Sequence, residues 1–104
     1  MNSELVIPCL DGRTDSLLVS GQAGTWGSIL PAAWCFLIAA RARGLSTVWT
    51  ILHPRYEQAA AAILGITYAQ MMQAAFVPVA RRLGTNFRPD ARESLEKVVH
   101  WDRW

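Results

Sequence analysis

Residues 28–52 read SILPAAWCFLIAARARG followed directly by LSTVWTIL, and this pair of segments decides the fold. In the first, nearly every position is apolar or small, with Leu30, Ala33, Trp34, Leu37 and Ile38 spread around a helical cylinder. A helix that is apolar on all sides belongs in the centre of a core rather than on its surface. Ser28 suits its start, because a serine hydroxyl accepts a hydrogen bond from a first-turn amide. Pro31 is tolerated there, since first-turn amides have no intrahelical acceptor. Arg41 and Arg43 put positive charge in the last turn, matching the helix dipole, and Gly44 supplies a left-handed stop. The second segment is β-branched and aromatic, which is the composition of a strand.

Working outward from this pair, residues 5–10 form a short apolar run closed by the turn signal Asp11-Gly12, and predict a buried strand. Residues 13–27 hold Gly21, Gly24 and Gly27 without sustained periodicity, and predict a mobile loop. On the other side, Pro54 suits the first position of a second helix. Tyr56, Ala59, Ala60 and Ile63 recur on one face of that helix, and Gly65 ends it. Residues 74–80, AAFVPVA, predict a further strand, with Pro78 requiring an edge position or a bulge. Residues 86–92 are irregular, and 94–101 suit a last extended segment. The order is strand, loop, helix, strand, helix, strand, arm, an α/β or α+β layer with helices against a sheet.

Composition bounds the function. A chain of 104 residues holds one small domain, and 52% hydrophobic against 17% charged residues marks it as globular. A net charge of +2, with its cations scattered, argues against nucleic acid and against an anionic membrane. Cys9 and Cys35 belong to no CxxC or metal-ligand cluster, and two buried reduced thiols are expected in preference to a disulfide. The polar opening at residues 1–4 is not that of a secretory signal. The longest apolar run, about twelve residues, falls short of the roughly 20 that span a bilayer. A cytoplasmic location follows as the expectation. His53 and His100 have no serine or cysteine partner at a recognisable spacing, so neither a hydrolytic triad nor a zinc site is expected.

Four stretches in order are similar to the C-terminal half of the nitroreductase family of FMN-dependent oxidoreductases. They are GSILPA at 27–32 leading to ARARGL at 40–45, TVWTILH at 47–53 with LGI at 64–66, VPVA at 77–80, and GTNFRP at 84–89 with RESLE at 92–96 and HWDRW at 100–104. The resemblance covers essentially all of residues 1–104, with residues 85–104 as an extended C-terminal arm. It implies an α+β, nitroreductase-like fold that is partial, its helices packed on a small mixed β-sheet. Family members are about twice this length and form intertwined homodimers with FMN between the subunits. An arginine-rich segment in their N-terminal part grips the FMN phosphate and ribityl chain. The expectation is therefore of a fragment or incomplete subunit, with either a second copy or a missing N-terminal half as partner.

The same resemblance implies cofactor-binding residues. Arg88 and Arg92 are similar to the two basic positions that contact the FMN phosphate. Guanidinium suits that role because it matches phosphate oxygens two at a time, although two cations four residues apart are also an ordinary solvated surface. Trp49, Thr50 and Ile51 lie where a strand end meets the isoalloxazine ring, which needs an apolar wall and hydrogen bonds at its polar edge; the alternative is plain core. Ser28, Ile29 and Pro31 begin the first helix, whose free amides either face the flavin edge or are simply capped. The tail HWDRW is either an arm wrapped on a partner or one packed on its own domain. The implied activity is reduction of FMN by NAD(P)H and then of a nitroaromatic, quinone or similar acceptor. The alternative from another class is a non-catalytic remnant or incomplete subunit that acts, if at all, by protein–protein assembly.

Overall fold

The computed structural model describes residues 3–51 and 53–104. It is a small α+β domain with two α-helices and two small sheets. In chain order these are β1 (Ser3–Val6), β2 (Cys9–Asp11), α1 (Val19–Ala42), β3 (Leu45–Thr47), α2 (Glu57–Leu64), β4 (Met71–Gln73) and β5 (Val77–Arg81). Single 3-10 turns cover His53–Tyr56 and Leu95–Lys97.

The larger sheet has the order β1-β5-β3 and the smaller one pairs β2 with β4. All these ladders are antiparallel, where a mixed sheet was expected. The apolar run at 5–10 supplies parts of two strands rather than one, since Val6 pairs with Val77 in one sheet and Cys9 with Gln73 in the other. Pro8 separates the two strands. A proline brings no ladder amide, and here its carbonyl accepts from the amide of Ala74 at 2.8 Å. Along β5 the side chains alternate, with Val77 and Val79 buried and Pro78 and Ala80 only half so, as the period of two requires. Ala75, Val77 and Val79 form the core, and Val6, Leu37, Leu45 and Trp49 pack against it.

Pro78 corrects an expectation, because β5 is the central strand and not an edge. The Pro78 carbonyl accepts from the amide of Val48 at 3.3 Å, so its bonding groups face β3, one residue past the end of the β3 ladder at Thr47–Val79. Towards β1 it faces Leu5 without needing an N–H. The missing donor costs a single bond to β3, while the amides of Val48 and Thr50 still donate to the carbonyls of Pro78 and Phe76, and the strand tolerates the proline. The segment predicted at 45–52 keeps one register past β3, with Thr50 bridging Phe76; its last position, Leu52, lies outside the described residues. The segment expected to be extended at 94–101 has only the short 3-10 turn.

The largest departure is α1. It begins at Val19 and runs for 24 residues, so the last nine residues of the expected loop are helical and Pro31 lies inside the helix. Neighbouring good helix formers such as Gln22 and Ala23 carry the backbone through three glycines, each costing about 1 kcal/mol relative to alanine. At about 1.5 Å per residue such a helix is long enough to cross a bilayer, and α1 meets that test by length and composition. Nor is it a buried helix. Only Ala33 and Ala40 are buried, while Trp34 and Ile38 are more than half exposed. Its inner stripe of Ile29, Ala33, Leu37 and Ala40 follows the 3–4 spacing of one helix face, and α1 packs there against β3. The remaining apolar surface faces outward.

The second helix follows the expected pattern of a proline near its start and a glycine stop. Pro54 sits in the preceding 3-10 turn, and Gly65 caps α2 at φ +73°. Its buried side is Glu57 and Ala61, whereas Tyr56 and Ile63 are exposed. The expected apolar face therefore points to solvent. Both cysteines are free, but only Cys9 is partly buried, and Cys35 lies on the exposed side of α1.

The chain measures 46 × 45 × 20 Å with a radius of gyration of 17.2 Å, against about 13 Å for a compact domain of 100 residues. Its accessible surface is 8501 Å², whereas a folded monomer of 11.5 kDa exposes about 5,800 Å² by the usual mass scaling.

Candidate functional site

The best-built polar constellation lies between the smaller sheet and α2. Past the end of β2, Gly12 adopts φ +93°, a left-handed conformation open to glycine. Its amide donates to the Gln70 carbonyl at 2.6 Å. This turn delivers Arg13 beneath the 67–71 turn. There Nη1 donates to Glu57 Oε1 at 2.9 Å and to the carbonyls of Tyr68 at 3.0 Å and Met71 at 3.3 Å, while Nη2 donates to Glu57 Oε2 at 3.0 Å. Nε donates to the exposed Asp15 at 2.6 Å. The guanidinium also lies 3.9 Å from the centre of the Tyr68 ring, an arrangement in which the ring face attracts the cation.

Glu57 is fixed from several sides. Burial alone pushes its carboxyl up, but hydrogen bonds from Arg13 and the Gln73 amide, with the Arg13 charge, outweigh this and hold it below its ordinary value. Conversely the Arg13 guanidinium is held more firmly protonated, chiefly by its hydrogen bond to Glu57 and against the effect of burial. Gln73 is fully buried. Its amide donates to Glu57 Oε1 at 2.8 Å and its Nε2 to the Glu57 carbonyl at 3.0 Å. A carbonyl can only accept, so Gln73 Nε2 must face it and Oε1 must face His53 Nε2. The chain Arg13–Glu57–Gln73 thereby presents an acceptor to the imidazole and places the proton of neutral His53 on Nε2. The ring also stacks on Phe76, with centroids 4.9 Å apart and planes inclined by 21°.

On its other side His53 lines an apolar cavity of about 450 Å³ with Cys9, Ile7, Ile63, Ile66 and Phe76. The Cys9 thiol donates to the Ile7 carbonyl at 3.3 Å and is pushed up, first by burial and then by the Glu57 charge. A raised thiol is a poor source of thiolate, so the cavity has binding groups but no activated nucleophile.

The residues expected to hold FMN lie on separate elements. Ser28, Ile29 and Pro31 sit in the middle of α1, nine or more residues past its start, so Ser28 is not a cap and offers no free first-turn amides. Trp49 packs against the Val77–Val79 core, Thr50 donates its hydroxyl to the Phe76 carbonyl at 2.7 Å, and Ile51 is exposed. Arg88 and Arg92 lie on the exposed arm, where Arg92 Nη1 donates to the Asp90 carbonyl at 3.2 Å. None of the eight lines the His53 cavity, nor the smaller ones beside α1 and along the arm. A single chain offers scattered contacts to FMN and no enclosure gathered from these residues. The tail does not fold back on the domain: Trp101 and Trp104 are exposed, and His100 and Trp104 contact each other at 4.6 Å.

Sequence reasoning did not find the Arg13–Glu57–Gln73–His53 chain. Arg13 stands in the segment predicted to be loop, and Glu57 is outside the face that predicts the second helix. The one available signal was a lone charge opening a helix whose last six residues are small or apolar, EQAAAAIL.

Set against models of known families, curated proteins and solved structures, the chain matches none.

Proposed function

We propose that this chain is an assembling subunit, located in the cytoplasm, of an FMN-dependent NAD(P)H oxidoreductase of the nitroreductase type, and that its flavin site is completed only by a second polypeptide. The observation that carries the assembly reading is surface. The chain exposes about 2,700 Å² more than its mass predicts, an amount in the range buried by obligate interfaces. Much of it is apolar: Leu30, Trp34 and Ile38 form a stripe along α1, and the arm adds Trp101 and Trp104. Aromatic side chains on such surfaces are typical interface anchors. The carboxyl half of α1 is engaged with the sheet through Leu37, which favours a protein partner over a bilayer for the rest of its face.

The chemistry rests on the sequence resemblance. FMN, when bound, supplies the hydride transfer, and the protein's part is binding and orientation. In this reading Arg88 and Arg92 grip the phosphate, Trp49 and Ile51 give the ring an apolar wall, and the Thr50 oxygen keeps acceptor capacity after its proton is given to Phe76. Ser28 and Pro31, exposed on the middle of α1, would face the flavin across the interface with Ile29 behind them on the inner stripe, and a nitroaromatic, quinone or similar molecule would be the acceptor. A second reading, assembly without catalysis, is favoured by the packing of the half-buried Trp49 against the core, which leaves less of that side chain for a flavin.

The test is to incubate the purified chain with FMN and to follow mass by light scattering and flavin by visible absorbance. An assembly larger than 11.5 kDa that retains flavin, and loses it with R88A/R92A, is the expected result. A colourless assembly leaves the second reading, and a colourless monomer refutes assembly with a second copy in either.

A further inference from the structure

We infer that the cavity lined by His53 and Phe76 is a binding site for a small apolar molecule carrying one hydroxyl donor, of the alkylphenol class, whose O–H is accepted by His53 Nδ1. The site shares no residue with the eight flavin positions, and its failure would leave the proposed function untouched.

Three observations select this ligand. The cavity volume of about 450 Å³ lies in the range of small-molecule sites, roughly 300–1,000 Å³. Its lining is mainly aliphatic, with Ile7 and Ile66 beside the His53–Phe76 stack and Ile63 largely exposed at the rim, and such a lining rewards an apolar body. The third observation is the imidazole. Gln73 Oε1 accepts a hydrogen bond from the Nε2–H, and Gln73 is itself turned by the Glu57 carbonyl and held in a buried network anchored by Arg13. Neutral His53 is then an acceptor at Nδ1, for which no described group is a partner. A ring whose tautomer is set by a buried chain of side chains presents a fixed lone pair rather than an adaptable group.

The same facts argue against other ligands. A carboxylate or phosphate needs a cation, and none is among the residues that line the cavity; Arg13, at the far end of the network, is engaged by Glu57, Asp15 and two carbonyls. A metal ion needs more ligands than one imidazole and a protonated thiol, and no cluster of three metal-ligating side chains occurs among the described residues.

The experiment titrates the full chain with 4-butylphenol and, separately, with its methyl ether, following backbone amide shifts by NMR. The ether is the larger and more apolar of the two but has no proton to donate. The phenol should saturate with a Kd of roughly 0.1–1 mM, as expected for a ligand of this size. Its shifts should centre on Ile7, Cys9, Ile63, Ile66 and Phe76. The ether should bind about fivefold more weakly, the share of one net hydrogen bond. In His53→Phe, which keeps a ring to stack on Phe76, the two ligands should bind alike. Equal affinity of phenol and ether for the wild-type chain would overturn the inference without recourse to any variant. So would shifts confined to α1 and the arm, or no saturation by several millimolar.

Discussion

Replacing Glu57 with glutamine removes one negative charge from a place where the structure has committed a guanidinium and a buried amide to it. The carboxylate takes two hydrogen bonds from Arg13 and one from Gln73, and the Arg13 side chain is only 13% exposed. Breaking a buried pair by removing one partner costs about 3–5 kcal/mol, because the other charge is left uncompensated. Asp15 still meets Nε, but it is largely exposed, and a screened contact of that kind offsets at most about 1 kcal/mol. The loss should therefore fall at the lower end, about 3 kcal/mol, out of a total stability of roughly 5–15 kcal/mol. With a urea dependence of about 1–3 kcal/mol per molar, the midpoint read by tryptophan fluorescence at pH 7 should drop by about 1–3 M. The pH dependence has a definite sign. Glu57 is held below its ordinary value of 4.5, so its contribution is complete above that pH and is lost as pH falls through the depressed value. The gap between wild type and E57Q should stay constant from pH 7 to about 5 and close in stronger acid. A variant within about 0.5 kcal/mol of wild type at pH 7, or a gap that widens in acid, would show that the Arg13–Glu57 pair does not hold β2, α2 and the 67–71 turn together.

On the outer face of α1, W34E/I38E should leave stability within about 0.5 kcal/mol, since both side chains are more than half exposed. The same change should shift the light-scattering mass to that of the single chain; an unchanged larger mass would place the interface elsewhere. At the end of α2, G65A meets no neighbour at its new Cβ but must hold φ +73°. It should cost about 1–2 kcal/mol, seen as a melting temperature lower by roughly 4–8 °C or more.

What the sequence made legible was local. The strand after Gly44, the α2 stop at Gly65 and the turn at Asp11-Gly12 each depend on residues within a few positions, and each is present in the fold. The expectation of an edge or a bulge at Pro78 failed because whether β5 has a neighbour on both sides depends on β1 and on residues 45–50, which the local sequence around the proline does not contain. The extent of α1 was misjudged for a different reason. Three glycines within 15 residues suggest a loop on propensity alone, yet the helix continues through them. Its exposure was misjudged because an apolar helix signals that something must cover it, without saying whether this chain or another does so. The Arg13–Glu57 pair joins residues 44 apart, and no window along the sequence contains both. The eight flavin positions came from likeness and not from spacing, and nothing local indicated that they would stand on separate elements.

The pairing of β1 with β5 has a consequence for synthesis. Ser3 leaves the ribosome 77 residues ahead of its partner Ala80. The larger sheet cannot close until about residue 80 is out, since β5 is the strand that joins its two edges. At a translation rate of about 5–20 residues per second, roughly 40 residues separate the end of α1 from β5, a delay of some 2–8 s. Throughout that interval the apolar helix has emerged with no sheet to lie on. The nascent chain is then a natural client for a holdase chaperone, and slowing translation between codons 43 and 80 should lower the soluble yield, not raise it.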